Sequence, residues 1–136
     1  MGHDHDSMSS LEEFREYREK MNEKILQRGG LQVKRFFNLD NQAYDDGALP
    51  RKTKELLGLV SSMVLRCDDC ITYHIIQCVE VGVSDPEFFE AFNIGLIVGG
   101  SIVIPHLRRA VERLEECRTL ESNKAVPEIS RKRSKG

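Results

Sequence analysis

The 136-residue chain contains no tryptophan, has only four prolines and lacks any long run of apolar residues. Its longest apolar segments, 94–98 and 102–104, are separated by Gly99, Gly100 and Ser101. A transmembrane helix needs about 18 or more consecutive apolar residues, so we predict no membrane span. The amino terminus lacks a basic stretch followed by an apolar one and a small-residue cleavage site, so it does not match a secretory signal. We therefore expect a cytoplasmic protein.

Acidic and basic residues nearly balance over the whole chain, at 22 and 20, but they are unevenly placed. Residues 122–136 hold five Lys and Arg side chains against Glu128 alone, which leaves an acidic body. An acidic body does not favour nucleic-acid binding. We predict one domain over 11–121, a disordered basic tail over 122–136, and a disordered start or tag remnant over 1–10.

Six segments show the spacing of amphipathic helices, and none alternates apolar and polar residues as a strand does. The first runs from Leu11 to near Gly29. The second, carrying Val33, Phe36, Phe37 and Tyr44, closes at the turn Asp45-Asp46-Gly47. The third follows Pro50, a residue suited to a helix start, and its apolar residues cover most of its circumference, so we expect it to be central to the core. These patterns predict an all-α bundle.

The remaining three helices have recognisable start and stop signals. The fourth begins near Cys67 and stops at Gly82, a residue suited to a left-handed cap. Ser84 and Glu87 have the spacing of a capping box, which opens the fifth. Pro105 is predicted to break the chain before a last helix. The total is about six helices in a single-domain bundle, whose large apolar surface predicts a homo-oligomer.

Four cysteines in a chain without an export signal indicate reduced thiols, a redox pair or metal ligands more than a structural disulfide framework. Cys67 and Cys70 lie three residues apart at a predicted helix start, where unpaired amides and the helix dipole favour thiolate. This spacing also lets the two sulfurs form a disulfide. We expect Cys78 and Cys117 to be inert core residues.

His74 follows Cys70 by four residues, so its imidazole can reach that sulfur directly or through one water. If helices three and four pair antiparallel about Arg66, Glu55 lies about 16 Å before the tip and His74 about 12 Å after it. The two side chains are then neighbours. Glu55, His74 and Cys70 could form a proton relay that activates the thiol. Taken singly, His74 and Glu55 could equally be structural.

The combined spacing is Glu, eleven residues, Cys, two residues, Cys, three residues, His. It resembles the active-site signature of the alkylhydroperoxidase D-like family, part of the carboxymuconolactone decarboxylase superfamily. The match lies on Glu55, Cys67, Cys70 and His74, and the similarity extends over about residues 48–115. One position departs from it: some members have a histidine immediately before the second cysteine, where this chain has Asp69. A negative charge there should disfavour thiolate at the adjacent cysteine.

The resemblance implies an all-helical homo-oligomer, a trimer or a hexamer, whose cysteine pair reduces hydroperoxides or passes electrons to a peroxidase partner. It implies no tightly bound cofactor, but an external dithiol must reduce the disulfide again. A lipoyl group, thioredoxin, a peroxiredoxin-type partner or glutathione could each take part, and the residues do not choose among them. The decarboxylase branch works without this cysteine pair, so we do not expect lactone decarboxylation.

Two other hypotheses remain open at this point. Cys67, Cys70 and His74 are plausible zinc ligands, with Glu55 as a fourth, although the spacing suits redox chemistry better. The chain could also be a non-catalytic stress oligomer that kept the fold but not efficient chemistry, as Asp69 suggests.

Overall fold

The computed structural model describes residues 9–122, which form six α-helices and one 3-10 turn and contain no strand. The predicted all-α fold of about six helices is therefore confirmed. Within the same range, no helix is long and apolar enough to cross a membrane. The ends predicted to be disordered, 1–10 and 122–136, lie outside the described residues except for Ser9, Ser10 and Ser122, which lie at the ends of the first and last helices.

The described residues divide into two compact units between Ala43 and Tyr44. The single domain predicted over 11–121 includes both units and stays a prediction. The first unit consists of α1 (Ser10–Arg28) and α2 (Gly30–Ala43), which pack against each other. Ser9 and Glu12 form a capping box that satisfies backbone amides at the start of α1. Tyr44, which was assigned to the second helix, lies just beyond its end.

The second unit carries four helices. These are α3 (Arg51–Leu65), α4 (Asp68–Glu80), α5 (Asp85–Gly99) and α6 (Ile104–Ser122), with the 3-10 turn at Ser101–Val103. Helix α3 packs against both α4 and α5, and α4 also packs against α6. Apolar side chains from all four helices and the turn form the core, among them Leu59, Met63, Ile71, Ile75, Phe88, Phe92, Val103, Ala110 and Leu114. Burying each of the larger ones contributes about 1.5–3 kcal/mol.

Two prolines lie at helix starts. Pro50 is the extended N-cap residue of α3, so this helix follows Pro50 as predicted. The chain breaks at Gly100, whose φ of 84° is a left-handed conformation, whereas Pro105 lies in the first turn of α6. A proline is tolerated there because amides of the first turn have no partner within the helix. The capping box at Ser84 and Glu87 is present as predicted.

Helix α3 lies centrally among the helices of the second unit, as expected, but part of its apolar surface is exposed. Leu59 and Met63 are fully buried, but Leu57 is 53% exposed and Leu65 is 76% exposed. Apolar side chains cover most of the α3 circumference, whereas the helices of one chain cover only part of it. The sequence pattern reports the hydrophobicity of a face and not which partner covers it.

Candidate active site

The start of α4 is positioned by a tight reversal after α3. Arg66 has a φ of 62°, a left-handed conformation that ends α3 and turns the chain back. Cys67 follows as the N-cap of α4, and its sulfur accepts a hydrogen bond from the backbone N–H of Cys70 over 3.2 Å. Such an N-cap contact uses one of the amides left unpaired at a helix start. A negative charge on the sulfur would be stabilised by the same amide and by the helix dipole.

Cys67 and Cys70 form a disulfide, with their Cα atoms 5.2 Å apart. That separation lies within the range that disulfide geometry requires. Cys70 is exposed and Cys67 is half-buried, so reagents in solvent have access to the pair. The predicted cysteine pair is thus placed where a disulfide can form and can be attacked.

Glu55 and His74 meet across the α3–α4 pair, as the predicted antiparallel arrangement requires. Glu55 Oε1 lies 2.9 Å from His74 Nδ1. Both side chains are buried, with exposed fractions of 1% and 8%. Because a carboxylate only accepts hydrogen bonds, Nδ1 carries the proton, and Nε2 holds the lone pair when the imidazole is neutral. In this orientation, Nε2 is the imidazole nitrogen that could accept a proton.

Arg51 compensates the buried charge of Glu55. Its Nε lies 3.8 Å from Glu55 Oε2, one helical turn away on α3. Its guanidinium also donates to Gln77 and, over 3.3 Å, to Glu80, both on α4. A buried carboxylate without a nearby cation would be costly, so Arg51 belongs to the site although sequence analysis did not select it.

Tyr44 is a second residue that sequence analysis missed, because it was counted only as an apolar position of helix two. Its hydroxyl lies 3.5 Å from His74 Nε2 and hydrogen-bonds to it. The approach depends on Gly58 in α3: a Cβ at that position would lie 2.6 Å from the Tyr44 hydroxyl oxygen and 2.9 Å from His74 Nε2. Gly58 was the available signal in the sequence. A glycine inside a helix costs about 1 kcal/mol relative to alanine, so its presence there indicates a close contact that a larger side chain would block.

The structure does not bring His74 into hydrogen-bonding contact with Cys70. Within residues 9–122, the two imidazole nitrogens bond to Glu55 and Tyr44. Cys70 instead shares the disulfide with Cys67. The expectation of a direct His74–Cys70 bond is thus not met in this oxidised state, while the expected Glu55–His74 half of the relay is present.

Cys78 and Cys117 are free and buried, in agreement with the expectation that they are inert. Burial and, to a smaller extent, the charge of Glu55 raise the pKa of Cys78 far above its usual value. The charge of Arg51 acts in the opposite direction and does not offset them. Burial, aided mainly by Glu116, raises the pKa of Cys117 to about 12. Neither thiol forms appreciable thiolate at neutral pH, so neither competes with the exposed pair.

The two aspartates of the CxxC segment differ in their surroundings. Asp68 accepts from His106 Nδ1 over 2.7 Å and from Arg109 over 3.2 Å, which ties the start of α4 to α6. Asp69 is exposed to solvent. Solvent screening of Asp69 weakens its predicted opposition to thiolate at Cys70.

The zinc hypothesis finds no support in the side-chain arrangement. Within residues 9–122, no three His, Cys, Asp or Glu side chains are grouped so that they could hold a metal ion. The four predicted ligands are paired otherwise, Cys67 with Cys70 and Glu55 with His74. The same four side chains form a disulfide and a hydrogen-bonded pair of carboxylate and imidazole.

Comparison with known proteins gives a consistent family assignment. One similar solved structure is that of a carboxymuconolactone decarboxylase family protein from Thermotoga maritima, for which a role in the antioxidative response has been suggested. It superimposes on this chain with a TM-score of 0.81 at 60% sequence identity. The superposition covers 87% of this chain and 98% of the other. A Legionella pneumophila protein of the same family gives 0.73 at 24% identity, covering 78% and 95%, and so shows the fold alone. An uncharacterized protein of the Paracoccus denitrificans cox locus is 26% identical over 81 residues, or 60% of this chain and 73% of its own length. The family model for carboxymuconolactone decarboxylases matches residues 32–113. The chain therefore belongs to the carboxymuconolactone decarboxylase family, which confirms the superfamily that the Glu, Cys, Cys and His spacing predicted.

Proposed function

We propose that this chain is a thiol-dependent antioxidant oxidoreductase that reduces hydroperoxides in the cytoplasm. The observation that carries the proposal is the accessible Cys67–Cys70 disulfide at the start of α4, one turn before the buried Glu55–His74 pair. A redox pair beside a charge-compensated base suits peroxide reduction, and nothing in lactone decarboxylation needs the disulfide. The antioxidative role suggested for the Thermotoga maritima protein supports the same assignment.

The reaction divides into three balanced steps. A cysteine thiolate attacks the outer oxygen of the hydroperoxide ROOH, the O–O bond breaks, and the alkoxide takes a proton to leave as ROH. The resulting sulfenic acid is attacked by the second thiol, which forms the S–S bond and releases water. An external dithiol then reduces the disulfide by exchange and is itself oxidised to a disulfide.

We assign the peroxide-attacking role to Cys70 and the resolving role to Cys67. Cys70 is the more exposed of the two, and His74 follows it by one helical turn. The Cys67 sulfur already accepts the Cys70 amide, a contact that stabilises Cys67 as the thiolate released when the disulfide is reduced. This division of roles leaves the accessible sulfur to meet the substrate.

Trapping the sulfenic acid tests the assignment. In the Cys67→Ser variant, peroxide should leave a sulfenic acid on Cys70, because no resolving thiol remains. A dimedone-type probe and mass spectrometry would locate it. In the Cys70→Ser variant we expect no such label on Cys67, and labelling there alone would reverse the two roles.

The reductant is a separate question, which a turnover assay addresses. Hydroperoxide consumption should be measured with glutathione, thioredoxin and a lipoyl-bearing protein as reductants in parallel, each with and without a peroxiredoxin-type partner as electron acceptor. We expect multiple turnovers with at least one dithiol and none in the Cys67→Ser, Cys70→Ser double variant. Near-stoichiometric zinc in the purified protein, with masked thiols, would favour the metal hypothesis instead. No turnover with any reductant would favour a non-catalytic stress oligomer.

A homo-oligomer forms part of the proposal, with a trimer or a hexamer expected. The second unit exposes large apolar side chains on α3, α5 and the following turn, including Leu65 at 76% and Ile97 at 81%. The others described on these elements are Leu57, Phe89, Ile94, Val98 and Ile102. Exposed apolar area of this kind indicates an interaction surface.

We predict that Ile97→Glu shifts the assembly toward smaller species, because a charge would then have to be buried in the interface. Light scattering at micromolar concentration measures the mass of both proteins. Glu112→Lys, an exposed change of charge on α6, serves as the control and should leave the mass unchanged. A monomeric wild-type protein would contradict the oligomer.

A further inference from the structure

The hydroxyl of Tyr44 hydrogen-bonds to Nε2 of His74, the nitrogen that must accept the thiol proton in the proposed mechanism. Nδ1–H donates a hydrogen bond to Glu55 over 2.9 Å, so Nε2 is the nitrogen left to accept a proton. The Tyr44 hydroxyl lies 3.5 Å from this atom. A thiol proton that reaches His74 must therefore displace the hydroxyl or pass through it.

The Tyr44–His74 contact is built into the packing of three segments. Tyr44 precedes α3, His74 lies in α4, and Gly58 of α3 lies between them. A Cβ on Gly58 would come within 2.6 Å of the Tyr44 hydroxyl oxygen and 2.7 Å of His74 Cε1. Any residue other than glycine at position 58 would have to displace the ring of Tyr44 or that of His74. The hydroxyl is thereby held against the imidazole edge.

A second tyrosine shows that the contact is specific. The rings of Tyr44 and Tyr73 both lie 5.3 Å from the His74 ring, centroid to centroid. Tyr73 presents an edge-on ring at 75°, whereas Tyr44 is tilted at 42° and directs its hydroxyl to Nε2. The two residues therefore differ in how they meet the imidazole although their distance from it is equal.

We propose that Tyr44 carries a proton between the Cys70 thiol and His74 and so completes the relay Glu55–His74–Tyr44. The inference rests on the proposed function. When Cys70 ionises, its proton passes, directly or through one water, to the Tyr44 oxygen while the hydroxyl proton moves to Nε2. The S–H electron pair stays on sulfur, the tyrosine ends unchanged, and the imidazolium faces the Glu55 carboxylate. The reverse transfer supplies the proton that the departing alkoxide needs.

The Tyr44→Phe variant tests this role, with Tyr73→Phe as the matched control. A neutral hydrogen bond is worth about 2- to 10-fold in an equilibrium, so peroxide reduction by the reduced Tyr44→Phe protein should slow by at least that factor. Tyr73→Phe should retain the wild-type rate. A wild-type rate in Tyr44→Phe would overturn the proposal, and a faster rate would show that the hydroxyl blocks the base.

The nitrogen-15 spectrum of His74 gives a readout that does not depend on turnover. In the wild-type protein Nε2 should resonate as an unprotonated nitrogen that accepts a hydrogen bond. Tyr44→Phe should move this resonance toward that of a free lone pair, and Tyr73→Phe should leave it in place. An unchanged Nε2 resonance in Tyr44→Phe would contradict the contact itself. If the spectrum changes as expected but wild-type protein consumes no peroxide, the proposed function fails while the Tyr44–His74 contact stands.

Gly58→Ala provides an independent test in which both rings are retained. The added methyl should separate the Tyr44 hydroxyl from Nε2 and shift the same resonance, although alanine is the better helix former. Gly95→Ala in α5 is the control, because a Cβ there meets Met63 atoms at 3.4 Å and leaves the site untouched. An Nε2 resonance at the wild-type position in a folded Gly58→Ala protein would also contradict the proposal.

Discussion

Replacing His74 by glutamine should slow hydroperoxide reduction by about 10²- to 10⁴-fold, the usual contribution of a general base. Glu55→Gln should lose much of the same factor, because the amide no longer stabilises the imidazolium that forms across the 2.9 Å contact. Single-turnover oxidation of the reduced protein by an organic hydroperoxide measures both rates. Circular dichroism and light scattering confirm that the variants keep their fold and mass.

The two side chains should act as one unit. We expect the Glu55→Gln, His74→Gln double variant to be little slower than the slower single variant, since removing either partner already disables the base. Raising the pH toward a free thiol's pKa, about 8.5, should partly restore all three variants, because solvent then supplies thiolate without a base. A wild-type rate in Glu55→Gln across that pH range would make Glu55 a structural residue.

Arg51→Met should lower the free energy of unfolding by about 3 kcal/mol, the low end of the cost of leaving a buried charge without its partner. Glu55 is only 1% exposed, and Arg51 Nε lies 3.8 Å from its carboxylate. The variant also loses the bonds that join Arg51 to Gln77 and Glu80 on α4. Urea or thermal unfolding under matched conditions measures the change.

A double-variant cycle separates charge compensation from lost packing. In the Glu55→Gln background, Arg51→Met should cost about 1–2 kcal/mol less, because no buried carboxylate is left unpaired. Arg109→Met is the control: it removes an exposed partner of Asp68, a type of ion pair worth about 1 kcal/mol or less. An equal cost of Arg51→Met in both backgrounds would show that Arg51 does not compensate Glu55.

Much of the fold followed from local signals in the sequence. The helix starts were visible because Ser84 and Glu87 can satisfy free backbone amides only at a helix start. An antiparallel pairing of α3 and α4 about Arg66 predicts that Glu55 lies beside His74, and the structure has this contact. Helix-capping residues and short connections were therefore enough to predict contacts between helices that are consecutive in the chain.

The missed parts of the site depend on contacts between side chains that the sequence pattern does not encode. Tyr44 looked like one more apolar helical residue, since periodicity cannot show where a hydroxyl points. Arg51 was not selected, because periodicity does not show that its guanidinium reaches Gln77 and Glu80 in another helix. The apolar periodicity of α3 also does not show which of its apolar side chains the chain itself covers, and Leu57 and Leu65 are exposed.

The central claim, that Cys67 and Cys70 are the redox centre, is tested most directly by mixing the reduced protein with one equivalent of an organic hydroperoxide. Free thiols are then alkylated in denaturant and located by mass spectrometry. We predict one equivalent of alcohol, a Cys67–Cys70 disulfide in each chain, and full alkylation of Cys78 and Cys117. Unconsumed peroxide with all four thiols alkylated, or oxidation confined to the buried pair, would contradict it.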